Sequence, residues 1–350
     1  MRLVFLEGDI SRHGGTERMT TMLASELSKN HTVSILSLNG NGESFFPLDC
    51  AVSCLTLPQK YPRKTIRKFL RDNSIDLVIN VDTGMAIFGV PAAFGLTTKA
   101  ITWEHSNFYN NWGSRWFPCI RRFASQFSDA VVVLTECDKH NYEQNIPHCC
   151  PVFTIGNPVE LHETSYVSES KIILSAGHLS PIKRFDLIPE IGKIVFARHP
   201  DWKWRICGEG PERAHLEAKI SQYDLEQNIV LAGSVKDMDD AYRSSAIYVM
   251  TSEMEGLPMV LLEAKSYRLP IVSFDIMTGP SEIVKDDVNG YLVKSGDITA
   301  MANRICQLIE HPLLRKQFSD ASVLDMGKFD KGEIIDKWER LLNQLNGTNR

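Results

Sequence analysis

Residues 251–270 read TSEMEGLPMVLLEAKSYRLP, and the choice of fold turns on them. The run before it, Ala246-Ile247-Tyr248-Val249-Met250, is short, apolar and rich in strand formers, as in a buried parallel strand. Polar Ser252 to Gly256 ends that strand in a loop, and Pro258 suits the first turn of a helix. Met259 to Ser266 are mostly good helix formers, and Leu269 to Phe274 is the next strand. Such a unit aims the free backbone N–H groups of Met259, Val260 and Leu261 at the loop around Gly256, where a phosphate oxygen fits. Glu255 in the loop and Glu263 eight positions later frame that spot. A carboxylate beside a diphosphate is repelled by it, so these glutamates are expected to reach past it to hydroxyl groups, which donate to a carboxylate. Two glutamates eight apart also arise by chance in ordinary helices. The Gly-Leu-Pro insert and the strand before it set this pair apart.

Over the whole chain, 350 residues allow two domains, and 43% hydrophobic with 23% charged residues is the make-up of a globular chain. A net charge of -5 argues against a general nucleic-acid binder. The apolar run Leu3–Leu6 is too short for a signal-peptide core, and none approaches bilayer length. The eight cysteines match neither a zinc knuckle nor a redox pair, so free thiols in the cytosol are expected.

Short apolar strands alternate with amphipathic stretches: Arg2–Leu6, Thr32–Leu38, Ala51–Leu57, Asp76–Val81, Lys99–Trp103, Ala130–Thr135 and Val152–Ile155. This predicts a doubly wound α/β domain with ligands at the carboxyl ends of its strands. The first strand runs into Gly14-Gly15 and a helix that Thr16 can cap; the adjacent glycines allow close backbone approach, or make a plain turn. His105, just past Trp103, is expected at the carboxyl edge. Asn157-Pro158-Val159 closes this half, Glu160–Ser170 reads as a linker, and Lys171 opens a second alternating half. In 60–71, KYPRKTIRKFLR, Lys60, Arg63, Lys64, Arg67, Lys68 and Arg71 share one helical face. That face is either simply solvated or meets anionic lipid, with the aromatic and basic stretch 114–127 (Trp116, Phe117, Arg121, Arg122, Phe123) as an added anchor. Asp237-Met238-Asp239 has the spacing of an Asp-x-Asp metal pair but, standing just before a helix, reads as its cap, and Ser281 reads as another.

The run Ser252-Glu253-Met254-Glu255-Gly256-Leu257-Pro258 resembles the signature of the family 4 retaining glycosyltransferases, Ser-x-x-Glu-Gly-x-Pro with two glutamates separated by seven residues. The resemblance implies the GT-B fold: α/β, two doubly wound Rossmann-like domains facing a cleft, the last helix crossing back to the first domain. The expected division is an acceptor-side domain 1–160, a nucleotide-sugar domain 161–328, and a helix over 329–350 packing on the first. It further implies that Gly14, Gly15 and Glu17 face the donor and that His105 lies beside the donor sugar. The stretch Gly177-His178-Leu179-Ser180-Pro181-Ile182-Lys183-Arg184-Phe185-Asp186 is similar to a Gly-Arg-Leu-x-x-x-Lys-x-x-Asp pattern whose Arg and Lys neutralise the diphosphate. Lys183 matches, but His178 stands where Arg is usual. Either Arg184 substitutes, or diphosphate affinity is lower, or His178 becomes protonated beside the phosphates. The resemblance places the base at Ser234-Val235, the ribose on Glu263 and the sugar on Glu255.

The expectation is therefore a retaining, metal-independent glycosyltransferase of bacterial exopolysaccharide, capsule or lipopolysaccharide assembly. Its expected partners are a nucleotide-diphosphate sugar, UDP-linked, a lipid-linked or saccharide acceptor, and an anionic membrane. No cofactor and no metal are expected, and the expected setting is the cytoplasm, at the inner face of the cytoplasmic membrane. Two alternatives stay open here: a nucleotide-sugar epimerase of the same fold, and a non-catalytic nucleotide-sugar-binding protein.

Overall fold

The computed structural model describes residues 1–57, 62–162, 166–235 and 237–347, which form two compact units, one of residues up to 157 together with 331–347 and one of residues 158–330. Lys60 and the middle of the expected linker lie outside the described residues. In the first unit, β1 (Arg2–Glu7), α1 (Gly15–Leu27), β2 (Thr32–Ser37), β3 (Ser53–Thr56), α2 (Pro62–Asp72), β4 (Leu77–Val81), α3 (Ala86–Ala93), β5 (Lys99–Trp103), α4 (Phe117–Phe127), β6 (Ala130–Val133), α5 (Glu136–Asn145) and β7 (Val152–Thr154) follow in order. Among the described residues the strands form one parallel sheet, ordered β3-β2-β1-β4-β5-β6-β7. Leu3–Leu6 of β1, most of β4 and all of β6 are apolar because both faces of the sheet are covered. β3 is the exception, being an edge strand with exposed residues, and it is shorter than the expected 51–57.

The second unit runs β8 (Ile172–Ala176), α6 (Ile188–Arg198), β9 (Lys203–Cys207), α7 (Arg213–Gln222), β10 (Ile229–Gly233), α8 (Asp239–Arg243), β11 (Ile247–Met250), α9 (Met259–Ser266), β12 (Ile271–Asp275), α10 (Pro280–Ile283), β13 (Gly290–Lys294), α11 (Ile298–Glu310) and α12 (Pro312–Ala321). Its parallel sheet has the order β10-β9-β8-β11-β12-β13. In each unit the order reverses beside the first strand, β1 or β8, which sets the switch point where parallel sheets take ligands.

The last helix, α13 (Lys331–Gly347), belongs to the first unit, as the resemblance implies. Ile334, Trp338, Leu341, Leu342 and Leu345 are buried along one side, and the Trp338 ring meets the edge of Trp103 at 5.1 Å. Glu339 accepts from His31 at 2.9 Å, and Lys331 pairs with Glu26 on α1.

Three expected caps are corrected. Thr16 lies inside α1, which starts at Gly15 with Gly14 as its N-cap and no capping side chain. α10 is capped by Gly279, not Ser281. At α8 the cap position is Met238, while the Asp237 carboxylate accepts the Asp239 N–H at 3.0 Å.

Candidate active site

In the second unit the local chain order builds a loop cluster at the carboxyl ends of β8, β9, β11 and β12. β8 ends in Gly177-His178 and β9 in Gly208, which must be glycine because a Cβ there would overlap the Gly177 carbonyl. Residues 181–183 make a short 3-10 turn closed by Arg184 in the left-handed conformation (φ 51°). The loop after β11 is stitched to that turn: Glu253 N–H donates to Ile182 O at 2.9 Å, and Thr251 Oγ1 to Lys183 O at 3.0 Å. On the other side, Thr278 Oγ1 donates to Glu255 O at 2.6 Å. Gly279 (φ 99°) lies so close that a Cβ would sit 2.8 Å from Gly256 O.

These stitches bring Lys183 and Glu255 together. The Lys183 Nζ donates to Glu255 Oε1 at 2.6 Å, with the side chains 24% and 12% exposed. The half-buried pair stores a cation and an anion at one loop junction, each reachable from outside. Arg184 is turned elsewhere: its guanidinium holds Asp186 at 3.0 Å and lies 3.6 Å from Glu253. His178 is exposed.

α9 carries the second glutamate. Glu263 is half-buried and accepts from the Tyr242 hydroxyl at 2.7 Å. Tyr242 itself is 2% exposed and stacks on Tyr267 at 5.0 Å, while the Tyr267 hydroxyl donates to Asp239. The sequence reading missed Tyr242; a lone large aromatic inside the polar run Asp239–Arg243 is the signal that could have found it. The expected trio of free amides at the start of α9 is corrected, because the Leu261 N–H donates to Pro258 O at 3.0 Å. Met259 and Val260 sit ahead of the helix's own hydrogen-bond ladder. Ser234 is exposed and Val235 half-buried, just past β10.

In the first unit, the carboxyl edge is acidic. Glu7 ends β1, 4% exposed, and accepts from Thr20 Oγ1 and Gly8 N–H, both at 3.0 Å. Burial, and next the Glu17 charge, push its carboxyl up to about 7. Glu17 stands in the first turn of α1 beside Gly14 and Gly15, 3.7 Å from Arg12. Asp82 follows β4 with φ 64° and ψ 147°, a conformation that strains a residue with a side chain. Its carboxyl is held well above the usual range by burial and then by Glu104, and its Oδ1 accepts the His105 N–H at 3.3 Å. Glu104 accepts from Thr83 Oγ1 at 2.5 Å and from Tyr142 at 3.2 Å.

His105 does emerge at this edge, its ring tilted against Trp103 at 4.1 Å. Its Nε2 is buried without a partner among the described residues, and burial pushes the ring down to about 3, so it is neutral at pH 7. A neutral imidazole can exchange hydrogen bonds with a hydroxyl but cannot neutralise a phosphate. Asp82, Glu7 and Glu104 escaped the sequence reading because each is a single acid at a strand end, brought together only by sheet order.

Two such units, each with its polar residues gathered at the carboxyl ends of parallel strands, define a GT-B glycosyltransferase architecture. Residues 13–163 match the family described as Glycosyltransferase Family 4, and residues 160–323 match Glycosyl transferases group 1. The amylovoran biosynthesis glycosyltransferase AmsD of Erwinia amylovora is 31% identical over 98% of this chain and 99% of its own. A Campylobacter jejuni α-1,4-N-acetyl-D-galactosaminyltransferase, named for an undecaprenyl-diphosphate-linked acceptor, is 26% identical over 99% of both chains. Among solved structures, S. aureus TarM, as a mutant in complex with fondaparinux, α-GlcNAc-glycerol and UDP, has TM-score 0.70 and 25% identity over 80% of this chain and 59% of its own. The chain belongs to the family 4 glycosyltransferases and is a glycosyltransferase; nothing in these comparisons favours an epimerase.

Proposed function

We propose that this chain moves a sugar from a UDP-sugar to a saccharide or lipid-linked acceptor, with retention of configuration and without a metal or cofactor. The observation that carries this reading is the Lys183–Glu255 pair at 2.6 Å, on a loop junction whose next helix presents Glu263 fixed by Tyr242. Lys183 and the amides of Met259 and Val260 stabilise the negative charge that grows on the departing diphosphate. Glu263 takes the ribose hydroxyls, and Glu255 takes hydroxyls of the sugar and supports its developing positive charge. His178, exposed at the same loop cluster, is the residue free to turn toward the phosphates, because Arg184 is occupied by Asp186 and Glu253. Gly14, Gly15 and neutral His105 line the sugar side; Ser234 and Val235 take the base.

The Erwinia relative, named for amylovoran biosynthesis, supports polysaccharide assembly; the Campylobacter relative, named for an undecaprenyl-diphosphate-linked acceptor, supports a lipid carrier; and the TarM complex supports UDP as the leaving group. Metal independence is supported by Asp239, whose carboxylate is engaged by Tyr267 and lies 3.9 Å from Arg243. The exposed cations of α2 support contact with an anionic membrane at the inner face of the cytoplasmic membrane. Among the described residues no helix is long and apolar enough to cross one.

The test is a panel of nucleotide sugars with and without saccharide acceptors, run in excess EDTA. The expected result is nucleoside diphosphate released with acceptor present, and a product whose anomeric NMR signal matches the donor's configuration. Inverted product, or activity that only manganese restores, overturns the retaining or the metal-free part of the reading.

A further inference from the structure

In the stretch 114–127, expected as a membrane anchor but with Phe117 and Arg121 buried, the first unit holds a cavity of about 340 Å³ between the segment after β5 and the helices α4 and α5. Phe108, Tyr109, Arg121, Arg122 and Asn145 line it. Arg121 is 3% exposed, which is unusual for a group that stays charged at any pH a protein survives. Its guanidinium lies over the rings of Phe108 and Phe117, at 5.0 and 5.1 Å. It donates to Asn111 Oδ1 at 3.0 Å and to the Asn110 carbonyl at 2.6 Å. Both partners are neutral. Among the described residues no carboxylate comes within ion-pair distance of it, and its Nε–H has no acceptor. The acid that feels its field, Asp138, spends one oxygen on the Phe108 N–H at 3.0 Å, and its other oxygen has no partner.

A buried cation with neutral partners and an idle N–H is costly unless an anion completes its shell. Arg122, exposed on the adjoining position, adds a second positive charge at the mouth. We propose that this cavity binds a phosphate group, held through the Nε edge of Arg121 and by Arg122. A planar guanidinium matches two phosphate oxygens at once, which an ammonium does not. The same segment exposes Tyr109 at 44% and Trp112 and Trp116 at 64% each. Amphipathic rings of this kind suit a phosphate attached to something larger, such as a lipid or a saccharide. The site stands independently of the donor reading, since it uses no residue of the second unit.

The experiment uses the full chain saturated with UDP, so that inorganic pyrophosphate cannot report on a diphosphate site in the second unit. Pyrophosphate is titrated against tryptophan fluorescence for wild type, Arg121→Lys and Arg122→Gln, with circular dichroism as the folding check. Arg121 also holds Asn110 and Asn111, so Arg122→Gln keeps the test sound should Arg121→Lys fail to fold. We expect saturable binding by wild type, weakened about 10-fold in Arg121→Lys and about 5-fold in Arg122→Gln. Phosphatidylcholine vesicles with and without phosphatidic acid are then added as competitors. Displacement of pyrophosphate only by the phosphatidic acid vesicles identifies a lipid headgroup as the source. No displacement identifies a free phosphate or phosphorylated saccharide, and both results uphold the site. Wild type that binds neither probe, or folded variants that bind as wild type does, overturn it. Failure of UDP to stabilise the protein would instead count against the donor reading alone.

Discussion

Removing the Glu255 carboxylate takes away the anion that holds the Lys183 ammonium at 2.6 Å. Glu255→Gln should therefore leave Lys183 free for a diphosphate while depriving the sugar of its carboxylate. We expect free UDP to bind about 5-fold more tightly, from the order of 1 kcal/mol that a partly exposed pair contributes, while transfer falls at least about 100-fold. Calorimetry with UDP beside an activity assay checks both; equal UDP affinity means the two side chains do not compete. Tyr242→Phe keeps the stacked ring but removes the hydroxyl that Glu263 accepts from, and should weaken UDP about 3- to 10-fold by loosening the carboxylate's position. Glu7 gives a pH signature. Its carboxyl is raised to about 7, so its contribution to stability is full below the ordinary carboxylate range and is lost as pH rises through about 7. Glu7→Gln should stabilise the first unit by about 2–3 kcal/mol at pH 8 and by little at pH 4, provided the contacts with Thr20 and Gly8 survive. Urea melts at the two pH values check it. The glutamates Glu255 and Glu263 are legible because a local motif carries them. Tyr242, Asp82 and Glu104 are not, because their partners lie 21 to 38 positions away and only the folded sheets supply them.

Helix α2 shows how a face drawn on a helical wheel can be divided by packing. Ile66 and Leu70 are buried in the core with Val78 and Val90, as an amphipathic helix requires. The cations are not equivalent, however. Arg67 donates to the carbonyls of Ala92 and Phe94 at 3.0 and 2.5 Å, closing the end of α3, and Arg71 is engaged by Asp72 at 2.9 Å. Charge reversal at Arg63 and Lys68 should therefore abolish binding to anionic vesicles without unfolding. Reversal at Arg67 should also lower Tm. Wild-type binding that is unchanged from low salt to about 0.15 M, where the Debye length is about 8 Å, would leave only a solvated face. Strands and most helices are legible to within a few residues because periodicity is local. The caps expected at Thr16 and Ser281 fail because a glycine two residues upstream takes each cap position instead.

The two-unit architecture and the return of α13 to the first unit come from alternation, from the signature motif and from the apolar stripe Ile334–Leu345. Trp338, 1% exposed against Trp103, is the anchor of that return. Trp338→Ala should lower the stability of the first unit by about 3–5 kcal/mol, the range for truncating a large buried aromatic, and leave UDP binding by the second unit near its wild-type value. Two separate transitions in calorimetry, only the first shifted, are the expected record. A second consequence concerns how the chain is made. On a ribosome the residues that complete the first unit leave the exit tunnel only after the whole of the second unit. Trp103 and the surface around it therefore stay uncovered for most of synthesis, and any product that stops short of residue 331 never covers them. Such fragments carry a standing apolar flag for chaperones and proteases, so the placement of one helix beyond the second unit makes translation through residues 331–347 a condition for a finished first unit.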